Sequence, residues 1–123
     1  MPVRGVRGAT TCEMDIPEAI YSATGELLQA ILDANLQMRP EDLASAIFTV
    51  SDDLASAYPA RAARDLGWEM VPLLCAREIP VPGSLPRCVR VLLHWNTDLP
   101  QSAIRHVYLG LAAKLRQDLS SLS

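Results

Sequence analysis

The stretch RCVRVLLHWN, residues 87–96, is the longest apolar strand candidate in this sequence of 123 residues. Successive side chains of a strand point to opposite faces, and every second residue here is apolar: Val89, Val91, Leu93 and Trp95. Arg90 lies on the other face, in the middle of the segment. The pattern predicts a strand that turns one face to the core, so the fold contains a sheet.

Other strands are predicted on both sides of this segment. Residues 3–11 carry small and β-branched side chains, residues 70–75 are mostly apolar, and residues 43–50 end in the β-like run IFTV. The prolines and glycine of residues 80–86 make that stretch a loop, because proline lacks the N–H that a central strand needs.

An amphipathic helix is predicted to begin at DIPE, residues 15–18. Asp15 would cap this helix and Pro17 would occupy its first turn. Apolar residues then recur every three or four positions, as one buried helix face requires: Ile20, Ala23, Leu27, Ile31 and Ala34.

The remaining segments are less regular. Residues 58–67 favour a short helix ended by Gly67, with Arg61 and Arg64 on one face, most simply a solvated one. Residues 102–115 fit both a 3.6-residue period and, at HVYL, a strand. Propensity favours the helix there.

Composition restricts the class of protein. The length predicts a single domain over residues 1–123. Fourteen acidic residues outweigh eleven basic ones, for a net charge of −3, which argues against a nucleic-acid partner. No apolar run approaches the ~20 residues of a membrane span, and no signal peptide is visible, so we expect a cytoplasmic protein without a membrane partner. Three cysteines without CxxC spacing and two histidines predict neither a disulfide framework nor a metal site.

Arginine accounts for ten of the eleven basic residues, and some lie where a surface residue is unusual. Arg90 is flanked by valines inside a strand, and Arg7 lies in a strand beside two glycines. Each is either an outer-face residue or a pocket-lining guanidinium that binds an anion. Glu78 follows an apolar strand, and Cys75 is more simply a small buried thiol than a nucleophile. Together these residues suggest a pocket that binds a small dianion and a reaction that needs no covalent catalysis.

Six segments, in order and nearly without gaps, resemble the monofunctional chorismate mutases of the AroH class. They are RGVRGATT at 4–11, YPARAAR at 58–64, VPLLCARE at 71–78, CVRV at 88–91, NTD at 96–98 and IRHVYL at 104–109. The resemblance implies the Claisen rearrangement of chorismate to prephenate, in phenylalanine and tyrosine biosynthesis, without a cofactor. It also implies an α+β, ferredoxin-like subunit with a mixed sheet and helices on one side. Three such subunits would form a pseudo-barrel with active sites at their interfaces.

The same resemblance implies a role for each site residue. Arg90 would meet the breaking ether oxygen and a carboxylate, and Arg7 would hold a carboxylate and help near the ether oxygen. Glu78 would accept a hydrogen bond from the ring hydroxyl. Cys75 would lie beside that hydroxyl, and Tyr108 would contact a carboxylate. The other implied ligand contacts are Leu74, Ala76 and Arg77, then Tyr58, Ala60, Arg61 and Arg64 from the neighbouring subunit, and Leu115 and Arg116, which close over the site.

Three expectations remain open to test. The resemblance predicts a strand over residues 107–115 after a short helical turn, against the helix that propensity favours. Because Gln117 replaces a proline common in the family, residues 116–123 are expected to form a mobile tail. Cys75 and Glu78 are three residues apart, so a regular strand would point them to opposite faces. Both reach one site only if the strand ends or bulges near Ala76 and Arg77.

A different class of function uses the same residues. A trimeric binding module could hold a small dicarboxylate with these arginines without transforming it.

Overall fold

The computed structural model describes residues 1–114. Within them a five-stranded mixed sheet has the order β3-β2-β4-β1-β5. The elements are β1 (Val3–Thr11), α1 (Pro17–Ala34), β2 (Leu43–Val50), α2 (Ala60–Asp65), β3 (Leu73–Arg77), β4 (Cys88–Asn96) and β5 (Val107–Tyr108). Short 3-10 turns occupy Pro40–Asp42, Gln101–Ala103 and Gly110–Lys114. The α+β mixed sheet expected above is confirmed.

Strand β4, which lies within the apolar segment 87–96, is the centre of the sheet. It pairs antiparallel with β1 on one side and β2 on the other, while β2–β3 and β1–β5 are parallel pairs. Its predicted apolar row is buried, since Val89, Val91, Leu93 and Trp95 are at most 4% exposed. The predicted alternation is therefore confirmed.

Helix α1 covers this apolar face. Leu27 and Ile31 are fully buried and pack in one cluster with Phe48 of β2 and Val91 of β4. The helix approaches β1 most closely at Gly8, where a Cβ would lie 2.8 Å from Ile31 Cδ1. Gly8 thus provides the space that lets α1 lie flat on the sheet.

The start of α1 differs in one respect from the prediction. Pro17 occupies its first turn as expected, but the cap residue is Ile16 and no side chain caps the helix. The Asp15 carboxylate instead accepts hydrogen bonds from the Ala55 and Ser56 N–H groups, both at 3.0 Å. These bonds, and chiefly one from the Ser56 side chain, lower the pKa of Asp15. Asp15 therefore anchors a distant loop.

Two strand boundaries also differ. The strand predicted over 70–75 begins at Leu73, because Met70 is solvent-exposed and Pro72 has no N–H to donate. The short helical turn expected before β5 is present at Gln101–Ala103. Within residues 102–114 neither the predicted helix nor the full predicted strand forms, because β5 covers only Val107–Tyr108. Pairing with β1 stops after Leu109, and Gly110, with a φ of 58°, turns the chain into a 3-10 turn.

No helix within residues 1–114 has the length and apolarity to cross a bilayer.

Candidate active site

Arg90 lies at the centre of the sheet face that α1 leaves open. Across β4 it pairs with Thr49 of β2 and with Ala9 of β1. Its side chain is 26% exposed. A guanidinium held in mid-sheet, with part of its surface open, is placed to receive an anion from that face.

Glu78 brings a carboxylate to the same place. β3 ends at Arg77, and the Glu78 N–H still donates to the Val50 carbonyl at 2.9 Å. The Glu78 Oε2 atom accepts a hydrogen bond from the Thr49 hydroxyl at 2.6 Å and lies 3.7 Å from Arg90 Nε. At 3.7 Å this is an ion pair without a short hydrogen bond, so both groups keep capacity for a ligand.

Between these groups and the loop after β3 lies a cavity of about 230 Å³. Glu78 and Arg90 line it together with Pro80, Leu85 and Cys88. Burial raises the pKa of the Cys88 thiol, although Arg90 opposes the shift. Cys88 is therefore a protonated, inert wall residue at neutral pH.

Arg7 shares the open face with Arg90. It pairs with Leu92, which makes it the diagonal neighbour of Arg90 across β1 and β4. Within residues 1–114 its guanidinium has no hydrogen bond or ion pair, whereas its backbone N–H donates to His106 Nδ1 at 3.0 Å. The Arg7 backbone is fixed and its charge is available.

Tyr108 closes the site from β5. It pairs with Ala9, and its ring packs against the cluster of Ala9, Cys88 and Ala112. Its hydroxyl is buried with no hydrogen-bond partner among the described residues. A buried unpaired hydroxyl is destabilising by about 1–3 kcal/mol, so a ligand that bonds it would recover that energy.

Cys75 is not brought to this site within one chain. Its partner across β2 is Phe48, and it packs against the core on the α1 side. β3 is regular up to Arg77, so Cys75 and Glu78 leave it on opposite faces. Cys75 lines a second cavity of about 470 Å³, with Tyr58 and Ala76.

The other predicted contact residues do not line the cavity beside Arg90 either. Tyr58 is 75% exposed at the mouth of the second cavity, and Ala60 is buried at the start of α2. Leu74 is 60% exposed on the open face, opposite Ile47.

Of the remaining predicted contact residues, Arg61 and Arg77 have other partners and Arg64 is exposed to solvent. Arg61 lies 3.6 Å from Asp65 and over the Tyr21 ring, and Arg64 is exposed. Arg77 donates to the Ser51 and Leu54 carbonyls, so its guanidinium holds the turn after β2. Leu115 and Arg116, with the expected tail over 116–123, lie outside the described residues.

Thr49 is the site residue that sequence reasoning missed. Its role depends on pairing across β2 and β4, and no local motif marks it. Its one signal is its position in IFTV, the β-like end of a predicted strand. Among residues 1–114 no three His, Cys, Asp or Glu side chains cluster as metal ligands do.

The chain is similar to known proteins over nearly its whole length. The family model of chorismate mutase type I matches residues 3–119. The chain is 61% identical to Chorismate mutase AroH of Thermus thermophilus, over 97% of this chain and 98% of that protein. It is 45% identical to Chorismate mutase AroH of Bacillus subtilis (strain 168), over 98% and 94%. A solved chorismate mutase from Clostridium thermocellum superposes with a TM-score of 0.85 at 44% identity, covering 88% of this chain and 96% of that one.

Proposed function

Since this chain belongs to the chorismate mutase type I family, we propose that it rearranges chorismate to prephenate in the cavity beside Arg90 and Glu78. The observation that carries this proposal is the placement of one guanidinium and one carboxylate, 3.7 Å apart, on the open face of the sheet. The product would feed phenylalanine and tyrosine synthesis.

The reaction needs no enzyme nucleophile or proton transfer, because one C–O bond breaks as one C–C bond forms within the substrate. The protein restrains the flexible enolpyruvyl arm over the ring and stabilises negative charge that grows on the ether oxygen. Arg90 supplies that second effect. Its Nε faces Glu78, which leaves the terminal nitrogens to bond the ether oxygen and a carboxylate.

The remaining groups orient the substrate. Glu78 accepts a hydrogen bond from the ring hydroxyl through a carboxylate that Thr49 holds in place. Arg7 pairs with a substrate carboxylate, and the buried Tyr108 hydroxyl donates to a carboxylate and gains the partner it lacks within residues 1–114.

The energetics are consistent with these roles. A rate enhancement of about a millionfold corresponds to roughly 8 kcal/mol. One preorganised donor to a developing oxyanion is worth about 3–4 kcal/mol. Arg90 would then supply close to half of this total, and Arg7 and conformational restraint would supply the rest.

We extend the proposal to a homotrimer in which a neighbouring subunit completes each site. Helix α1 covers one face of the sheet, whereas Leu74 and Val3 are 60% and 53% exposed on the other, a surface typical of subunit packing. Cys75 and Tyr58, remote from Arg90 in the same chain, would reach the ligand of an adjacent subunit. The neighbour's wall would also include Ala60, Arg61 and Arg64, with Leu115 and Arg116 closing over the ligand.

We assign the reaction to the cytoplasm. Cys12, Cys75 and Cys88 are all free thiols, which is typical of a reducing compartment.

The decisive experiment follows the loss of the conjugated-diene absorbance of chorismate with purified protein. Turnover far above the spontaneous rate is expected. Tight binding of chorismate without any such loss would overturn the enzyme proposal and leave the dicarboxylate-binding module.

Shared sites are tested by mixing two inactive variants, Arg90→Ala and Tyr58→Glu. The second places a negative charge on the exposed wall, where it repels the dianion. Random assembly of equal amounts in a ring of head-to-tail interfaces gives about a quarter of sites with both native walls, so activity should return to about that fraction. If each site lies within one chain, the mixture stays inactive.

A further inference from the structure

The start of β4 is held by the turn that follows β2. Ser51 contacts Cys88 at both backbone groups, since its hydroxyl oxygen accepts from the Cys88 N–H at 2.9 Å and its own N–H donates to the Cys88 carbonyl at 3.0 Å. The Ser51 hydroxyl in turn donates to Asp53 Oδ1 at 2.5 Å. Cys88 lies two residues before Arg90.

Arg87, the residue before Cys88, has an unusual backbone. Its φ is 48°, the left-handed region that non-glycine residues rarely adopt. Both Asp53 carboxylate oxygens accept the Arg87 N–H at 3.0 Å. The Arg87 carbonyl accepts from the Cys12 N–H at 2.8 Å, and Arg87 Nε donates to the Cys12 carbonyl at 3.0 Å. This surrounding set of bonds maintains the strained conformation.

We infer that Asp53 is a positioning residue for the Arg90 guanidinium. Asp53 makes no contact with Arg90. It fixes the left-handed Arg87 backbone and, through Ser51, the Cys88 peptide from which β4 begins. This inference rests on the function proposed above, because the position of Arg90 affects turnover only if Arg90 takes part in catalysis. The Asp53 carboxylate stays charged at neutral pH, since the hydrogen bonds from Ser51 and Arg87 lower the pKa of Asp53.

Positioning has a measurable effect because Arg90 acts by geometry. A shift of about 1 Å in a catalytic group can reduce turnover about 100-fold. Without the carboxylate, Arg87 is expected to relax towards negative φ, which redirects the first residues of β4. The 3.7 Å separation of Arg90 Nε from Glu78 Oε2 would change with it.

The neighbouring Asp52 provides a matched control. It belongs to the same turn and carries the same charge, but its carboxylate faces Arg77 at 3.8 Å and makes no bond to β4. Replacing either aspartate by asparagine removes one negative charge beside the cavity. An effect confined to Asp53→Asn is therefore due to position and not to charge.

The experiment measures kcat and KM for Asp53→Asn and Asp52→Asn. We expect kcat to fall about tenfold in Asp53→Asn, with KM changed less than threefold, and both to stay within twofold in Asp52→Asn. Glycine adopts a φ of 48° without strain, so in an Arg87→Gly background the Asp53→Asn change should lower kcat less than twofold. Equal effects of the two asparagine variants, or an undiminished loss in the glycine background, would overturn the inference.

A second readout does not depend on turnover. The NMR resonance of the Arg90 Nε–H group reports its surroundings directly, and it should shift in Asp53→Asn and not in Asp52→Asn. If the native protein does not turn over chorismate, the proposed function fails while this resonance still decides the inference. Should Asp53→Asn fail to fold, Ser51→Ala replaces it in the comparison with Asp52→Asn, because it removes the link from Asp53 to the Cys88 N–H. A lower kcat and a shifted resonance are again expected in Ser51→Ala alone, and native values of both would overturn the inference.

Discussion

The Thr49 hydroxyl donates to Glu78 Oε2 across 2.6 Å, and this bond holds the carboxylate 3.7 Å from Arg90 Nε. The two residues come from neighbouring strands, since Thr49 lies in β2 and Glu78 directly follows β3. A carboxylate that is already bonded to Thr49 is less available to form a short ion pair with Arg90. Thr49 therefore keeps the guanidinium to which we assign the catalytic role accessible to a ligand.

Replacing Thr49 by valine removes this donor with little change in shape. Glu78 should then move towards Arg90, and kcat/KM should fall about five- to tenfold, the effect of a hydrogen bond to a partly exposed charge. Thr49→Ser keeps the hydroxyl and should stay within twofold of the native enzyme. Steady-state kinetics of the two variants make the comparison. A valine variant with native kcat/KM would show that the bond has no catalytic effect.

Arg90 carries the largest predicted effect. Arg90→Ala should fold, as judged by circular dichroism, and lose at least 100-fold in kcat because the main donor to the ether oxygen is removed. Arg90→Lys should also be poor, since an ammonium lacks the planar fork that bonds two oxygens at once. Arg39→Ala is the control, because Arg39 pairs with Glu41 on the exposed surface. Near-native turnover in Arg90→Ala would remove Arg90 from its role.

Short-range pattern was sufficient for the central strand and the long helix. The alternation in β4 and the periodicity in α1 each describe one buried face, and a buried face is a local property of the chain. The position of Arg90 on the opposite, open face followed directly from that alternation. The residue types alone suggested that Arg90 and Glu78 share one pocket, and the family resemblance then implied a role for each.

Contacts between distant segments could not be predicted in this way. The Thr49–Glu78 bond depends on the register of β2 against β3, and Asp15 bonds a loop forty residues away instead of capping α1. The last segment was ambiguous because its apolar spacing suits both a helix and a strand. Its outcome depends on Gly110, whose positive φ ends the pairing with β1.

Gly8 should be sensitive to a single added carbon. A Cβ there would lie 2.8 Å from Ile31 Cδ1 and 3.3 Å from the Val107 carbonyl oxygen, so Gly8→Ala must displace α1 or β5. We expect a loss of about 1–3 kcal/mol in the free energy of unfolding. Gly25→Ala is the contrast, because its Cβ would meet nothing within 4 Å. It should stabilise by about 0.5–1 kcal/mol.

Urea unfolding of both glycine variants at one protein concentration provides the measurement. Equal midpoints for Gly8→Ala and the native protein would show that α1 moves away without energetic consequence.

Alkaline stability should depend on Cys12. The thiol is 4% exposed and packs among Ile20, Val50, Leu54 and Val89. Burial raises its pKa from 9.0 to about 11, with further contributions from Cys88 and Asp15. The folded state therefore keeps the proton more strongly than the unfolded chain does. The resulting stability is fully present below pH 9 and is lost as the pH rises from about 9 to about 11.

Cys12→Ala isolates this effect, because alanine does not ionise while Cys88 and every other titrating group remain. Urea unfolding of both proteins from pH 7 to pH 11 gives the difference in their unfolding free energies at each pH. Below pH 9 that difference should be constant, since it then reflects only the packing lost with the sulfur atom. Above pH 9 the difference should shrink, because Cys12 of the unsubstituted protein loses its proton at a lower pH in the unfolded state than in the folded state. Parallel curves across the whole range would show that Cys12 has the same pKa in both states.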